Sequence, residues 1–140
     1  IVKASKAKVD YVKFQFFNHK NLITKNAPTT EYQSKNIKNK ITQQDLLKSL
    51  ELSADQIIYL YKFSKKYKVG FLCSFFGEEE FNLILKKIKP DFIKIPSGEI
   101  TNLPFLYSQS KKNIPIILST GMSNLKEIDM AIATIFYGIK

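Results

Sequence analysis

Arginine is missing altogether: every one of the 22 basic residues is a lysine, set against 12 Asp and Glu, for a formal net charge of +10. Phosphate neutralisation favours such a surface. Arginine, however, is the usual bidentate reader of guanine and phosphate, so its absence argues against sequence-specific nucleic-acid recognition. A generally solvated basic surface, or one that attracts a small anionic substrate, fits better. Cysteine and histidine are nearly missing too. Cys73 stands alone, which excludes a disulfide framework and a cysteine-based zinc site within these residues. With His19 as the single histidine, a metal would need carboxylates or residues from outside the sequence. No apolar run approaches the roughly 20 residues that span a bilayer, and the first residues lack a secretory pattern. The expectation is a cytoplasmic protein with no membrane and no nucleic-acid partner.

What is present is the composition of a folded domain. The chain has 140 residues, of which 44% are hydrophobic, enough for one domain at most. It opens on Ile1 rather than Met, and residues 1–8 read as the last turns of a helix whose start is missing. A fragment is therefore expected.

The chain reads as strands alternating with helices. Val9 to Phe17 is the first strand, with Lys13 and Gln15 on one face and Phe14 and Phe16 on the other. Residues 18–41 carry no apolar periodicity and read as a long loop, either of the kind used as a lid or binding loop or simply disordered, with Tyr32 and Gln33 placed to contact a ligand or anchor the loop. Thr42 caps a short helix. Ser53 opens a second by a capping box with Gln56; it presents Ile57, Leu60, Tyr61 and Ser64 on one face and ends near Val69 with Gly70 as its C-terminal glycine. Then come the strand Phe71 to Phe75 and a helix from Glu78 to Lys89, acidic in its first turn, lysine-bearing in its last and stopped by Pro90. A strand from Asp91 to Ile95, a helix from Asn102 to Lys112, a strand from Ile114 and a helix capped by Ser123 and running to Tyr137 complete the order.

Such alternation argues for parallel strands in an α/β fold. The last three strands recur about every 22 residues, close to the compact repeat of a (β/α)₈ TIM barrel. Four βα units cannot close a barrel that takes about 250 residues, so the alternatives are half a barrel or a small open sheet. The missing helix start favours half a barrel, and no glycine-rich dinucleotide fingerprint follows any strand.

In a parallel α/β protein, chemistry gathers at the C-terminal ends of the strands. Those ends carry Lys13 and Gln15, then Ser74, then Lys94, Ser97 and Glu99, then Ser119, Thr120 and Gly121. Two lysines, several hydroxyls and exposed backbone amides make a cradle for a phosphate or carboxylate, because each such anion needs several donors around it. A lysine-rich chain places lysines at strand tips without purpose as well, and serines cap many turns. The shared position on successive strands is the stronger signal.

Lys13-Phe14-Gln15, Lys94-Ile95-Pro96-Ser97-Gly98-Glu99 and Ile117-Leu118-Ser119-Thr120-Gly121-Met122 closely resemble, in order and spacing, the motifs of the sialic acid synthase family. Ala27-Pro28 and Glu31-Tyr32-Gln33 extend the likeness through the loop. The resemblance implies a (β/α)₈ barrel of which residues 1–140 form a partial domain, lacking the first strand, the later strands and a C-terminal antifreeze-like domain. It implies condensation of phosphoenolpyruvate with an N-acylated mannosamine-type sugar to a nine-carbon 2-keto sugar acid, with release of phosphate. It also implies a divalent metal, Mn²⁺ or Mg²⁺, whose ligands lie outside this chain, and a homodimer in the complete enzyme. By motif, Lys13, Ser74, Lys94, Ser97 and Ser119 correspond to phosphoenolpyruvate contacts, Gln15 to a sugar contact and Glu99 to the catalytic acidic residue. The family usually has Ser-Thr-Pro-Phe where this chain has Cys73-Ser74-Phe75-Phe76, so Ser74 keeps the hydroxyl and loses a methyl. His19 matches none of the family's metal-binding histidines. An aldolase with a Schiff base on Lys94, or a basic nucleic-acid-binding module, are the alternative readings.

Overall fold

A computed structural model describes residues 1–23 and 42–139. Ala27, Pro28, Glu31, Tyr32 and Gln33 lie outside the described residues. The first element is a short helix, α1 (Val2–Lys6), followed by strand β1 (Tyr11–Phe16). Part of the stretch expected to be structureless is a further helix, α2 (His19–Leu22), because Asn18 Oδ1 accepts from Lys20 N at 3.0 Å and caps it. Helix α3 (Gln43–Leu50) starts where Thr42 Oγ1 accepts from Asp45 N, as its cap residue predicts. Helix α4 (Ala54–Lys66) starts with the predicted capping box. Gln56 N donates to Ser53 Oγ at 3.2 Å, and Ser53 N donates to Gln56 Oε1 at 2.7 Å.

The end of α4 differs from expectation. The helix stops at Lys66, and the left-handed residue that turns the chain is Lys68, at φ 54°, not Gly70. Gly70 instead opens strand β2 (Gly70–Phe75), where glycine serves close approach: a Cβ there would lie 2.3 Å from the Tyr11 ring and 2.8 Å from Asp10 O. Helix α5 (Glu78–Leu85) is also shorter than expected. Its first turn carries Glu78, Glu79 and Glu80, favourable at the positive end of the helix dipole, but the N–H groups of Lys87 and Ile88 both close on Ile84 O, and the lysines follow the last turn instead of lying in it.

Strand β3 (Ile93–Ile95) leads into a 3₁₀ turn at Ser97–Glu99 and helix α6 (Leu103–Ser110), capped by Asn102. Strand β4 (Ile116–Leu118) precedes helix α7 (Leu125–Gly138). Asn124, not Ser123, caps α7, because only Asn124 has the reciprocal pair with Glu127: its Oδ1 accepts from Glu127 N at 3.0 Å and its N donates to Glu127 Oε2 at 2.9 Å.

The four strands form one parallel sheet in the order β1-β2-β3-β4. Because successive side chains alternate, one face carries Phe16, Phe71, Cys73, Phe75, Ile93 and Ile95, and these pack with Ile57, Phe81, Ile84, Leu106 and Ala131 of the helices. Phe75 and Phe81 meet edge to face with centroids 5.1 Å apart. Phe81 and Ile84 are both fully buried, and truncating such a residue to Ala typically costs about 2–5 kcal/mol. The helix layer thus consumes every second strand residue and leaves the intervening ones, polar ones among them, for the opposite face.

Candidate active site at the strand ends

Register brings the polar residues into a row. Gln15 pairs with Ser74, Ser74 with Lys94, and Lys94 with Ile117, so these side chains share the face opposite the helices; Lys13 lies one step back, paired with Leu72. The row begins exposed at Lys13 and Gln15, passes through the buried Ser74 and reaches the half-buried Lys94.

Lys94 is held from two sides. Its Nζ donates to Ser119 Oγ and to Ile95 O, each at 2.6 Å. Burial, reinforced by the charge of Lys13, holds its pKa below the ordinary lysine value. Two ammonium groups that feel one another, one of them partly desolvated, repel each other, and an anion placed between them would relieve that repulsion. Ser74 has an unmet requirement of its own. Its Oγ is buried, with 1% of the residue exposed, and has no hydrogen-bond partner among the described residues. Paired across the sheet with Lys94, this hydroxyl is free among the described residues to donate to an acceptor.

The turns after β3 and β4 close together over this row. Ser119 N donates to Ile95 O at 3.1 Å. A Cβ added to Gly121 would stand 3.5 Å from Ser97 Oγ, so the Ser97 hydroxyl lies against the Gly121 backbone. Glu99, in the 3₁₀ turn, makes its hydrogen bond outside the predicted set: its Oε2 accepts from Asn102 Nδ2 at 2.7 Å. Gln15, Ser74, Lys94 and Ser119 are therefore drawn together by register and bonding, and Ser97 with Gly121 by the turns.

Sequence reasoning missed Asn102. Its signal was the pattern of an Asn before Leu103-Pro104, which is a cap followed by a proline in the first turn. It also missed the pairing of His19 Nδ1 with Glu51 Oε2, which joins the start of α2 to the end of α3. The hydrogen bond from His19 holds the Glu51 carboxyl below its ordinary value. Cys73, one residue from Ser74 and facing the helices, is pushed up to about 12 by burial and so stays a thiol at neutral pH. Among the described residues no three His, Cys, Asp or Glu side chains converge on a metal site, so these residues do not by themselves fit a divalent ion. No helix among them is long and apolar enough to cross a membrane.

Comparison with known proteins adds to this geometry. The NeuB family profile matches residues 1–138. The N,N'-diacetyllegionaminic acid synthase of Legionella pneumophila is 36% identical over 140 residues, covering 99% of this chain and 39% of its own length. The N,N'-diacetyllegionaminic acid synthase of Campylobacter jejuni is 42% identical over 129 residues, covering 92% of this chain and 38% of its own. The chain thus spans well under half the length of these relatives. Among solved structures, an N-acetylneuraminic acid synthetase from Leptospira borgpetersenii superposes with a TM-score of 0.80 at 23% identity, over 97% of this chain and 42% of that one. A DAHP synthase from Thermotoga maritima superposes at 0.68 with 16% identity, over 96% and 32%. The four parallel βα units are accordingly part of a TIM barrel and not a small open sheet, as the family resemblance implied.

Proposed function

The chain belongs to the NeuB family, and we propose that it supplies the phosphoenolpyruvate-binding part of a nonulosonic acid synthase barrel. In this reading, carbon 3 of phosphoenolpyruvate forms a bond to the aldehyde carbon of an N-acylated mannosamine-type sugar, whose carbonyl oxygen becomes a hydroxyl. Carbon 2, left electron-poor, takes up water, and the resulting tetrahedral centre loses phosphate to give a nine-carbon 2-keto acid. The observation that carries this is the pairing of a doubly anchored, partly desolvated Lys94 with the orphan hydroxyl of Ser74 in the next strand.

The roles follow from the chemistry of each group. Lys94 and Lys13 offset the charge of the phosphate or carboxylate, while Ser74, Ser97 and Ser119 donate to its oxygens. Gln15, exposed at the end of the row, offers an amide to the sugar. Glu99 accepts a proton from the water that adds to carbon 2. A divalent ion, Mn²⁺ or Mg²⁺, would polarise the sugar aldehyde as a Lewis acid, with donors from sequence beyond the described residues. The same reading makes the complete enzyme a cytoplasmic homodimer.

One observation also favours a Schiff-base aldolase: a lowered lysine pKa leaves more neutral amine to attack a carbonyl. Borohydride trapping with a keto substrate separates the two, since an adduct on Lys94 contradicts the synthase.

The test is phosphate release from phosphoenolpyruvate by the full-length gene product, with manganese and a panel of N-acylated hexosamines. Release that depends on one sugar is expected. A folded protein that releases none with any sugar overturns the proposal.

A further inference from the structure

Among the described residues, Asn102 is the one side chain that hydrogen-bonds the Glu99 carboxylate and ties it to the rigid part of the fold, and it does so with both ends of its amide. Its Oδ1 accepts from Phe105 N at 3.3 Å, capping α6, while its Nδ2 donates to Glu99 Oε2 at 2.7 Å. Its own backbone N donates to Glu99 O at 3.0 Å, so the two residues are joined through main chain and side chain alike. The direction of the amide is forced. Turning it over would set Oδ1 against a carboxylate and Nδ2 against an N–H, two repulsive pairs in place of two bonds.

The helix that Asn102 caps is firmly seated. Phe105 and Leu106, in its first turn, are buried in the core, and Pro104 presets its first turn. The turn that carries Glu99, by contrast, is a single 3₁₀ turn with no buried residue of its own. A carboxylate on such a turn has several rotamers open to it, and the Asn102 amide selects one. It occupies Oε2 and leaves Oε1 without a partner among the described residues.

We propose that Asn102 is a positioning residue for the reaction: it fixes the Glu99 carboxylate so that Oε1 presents its lone pairs to the attacking water. This rests on the role given to Glu99 above. Few side chains can serve. Asp caps a helix as well as Asn but brings a second negative charge and no donor; Ser caps it but is too short to reach the carboxylate.

That asymmetry supplies the test, made in the full-length gene product. Asn102→Asp keeps the cap, so the melting temperature should stay within about 2 °C of wild type. Its kcat should fall at least about tenfold, the usual worth of a hydrogen bond to a charged group, with the KM for phosphoenolpyruvate changed less than about twofold. In a Glu99→Gln background, where the proton acceptor is already gone, the same substitution should cost nothing further in kcat. A purely structural role predicts the opposite: the same factor lost in both backgrounds, or a loss that follows the melting temperature. Either of those, or wild-type kcat in Asn102→Asp, overturns the inference while leaving the synthase reading intact. A wild-type enzyme that releases no phosphate, or a Glu99→Gln variant of undiminished rate, overturns the reading beneath it instead.

Discussion

Lys94 Nζ donates to Ser119 Oγ across 2.6 Å, one hydrogen bond that joins the end of β3 to the end of β4. A second donor of the same ammonium goes to Ile95 O, also at 2.6 Å, which leaves one of three N–H groups for a ligand. The lysine is thus aimed by the strand ends before any anion arrives, and binding need not order it. Lys94→Met should weaken phosphoenolpyruvate or inorganic phosphate binding by about 10- to 150-fold, the worth of a hydrogen bond to a charged group. Ser119→Ala keeps the lysine charge and loses its anchor together with one neutral donor to the anion, so about a 2- to 10-fold loss is expected. Calorimetric titration of both variants checks the order; a Ser119→Ala loss equal to or larger than that of Lys94→Met contradicts it.

In the proposed anion site, the state of Lys94 sets a pH dependence of known sign. Its pKa lies below the ordinary 10.5, through burial first and the charge of Lys13 second. The protonated form holds the anion, so affinity falls as pH rises through the free protein's value, and the fall begins earlier than for an exposed lysine. Stability without ligand moves the other way. Between the lowered folded value and the unfolded one the unfolded chain binds more protons, so the empty protein gains stability as pH rises through that window. Phosphate affinity and melting temperature measured from about pH 7 to 10 should therefore diverge. Lys13→Gln, which removes the like charge, should move the alkaline loss of affinity to higher pH. A flat affinity over that range contradicts the assignment of Lys94 as the charged contact.

The features readable in the sequence were those set by local chemistry. The capping box at Ser53 and the cap at Thr42 need only residues three apart, and the alternation that puts Lys13 and Gln15 opposite Phe14 and Phe16 is fixed by strand geometry alone. The row across four strands was legible because parallel βα units bring strand ends to one side. What escaped depended on contacts between segments distant in sequence. Gly70 looked like a helix stop because glycine usually is one there, yet the Tyr11 ring, delivered by β1, is what excludes a side chain. Ser123 was expected to cap the last helix, and the backbone instead places the cap one residue later, at Asn124, whose amide faces Glu127. His19 and Glu51 meet only because α2 and α3 fold against each other. The tie between Glu99 and Asn102 required the 3₁₀ turn, which the sequence showed only as a turn.

Ser74 separates a binding role from a packing role more sharply than any other residue of the row. Its hydroxyl is buried without a partner among the described residues, between the register partners Gln15 and Lys94. An unmet buried hydroxyl costs about 1–3 kcal/mol, and removing it relieves that cost at the expense of a very small void. Ser74→Ala should therefore leave the unliganded protein as stable as wild type or up to about 1 kcal/mol more stable. The same change should weaken phosphoenolpyruvate binding by about tenfold, because the hydroxyl then has nothing to give the anion. Opposite signs in the two measurements are the signature of a group placed for a ligand. Ser74→Thr retains the donor and should retain affinity. Thermal denaturation and calorimetric titration on the same preparations decide it: Ser74→Ala that melts lower and binds as wild type would mean that the hydroxyl serves the fold, and the row would lose its middle member.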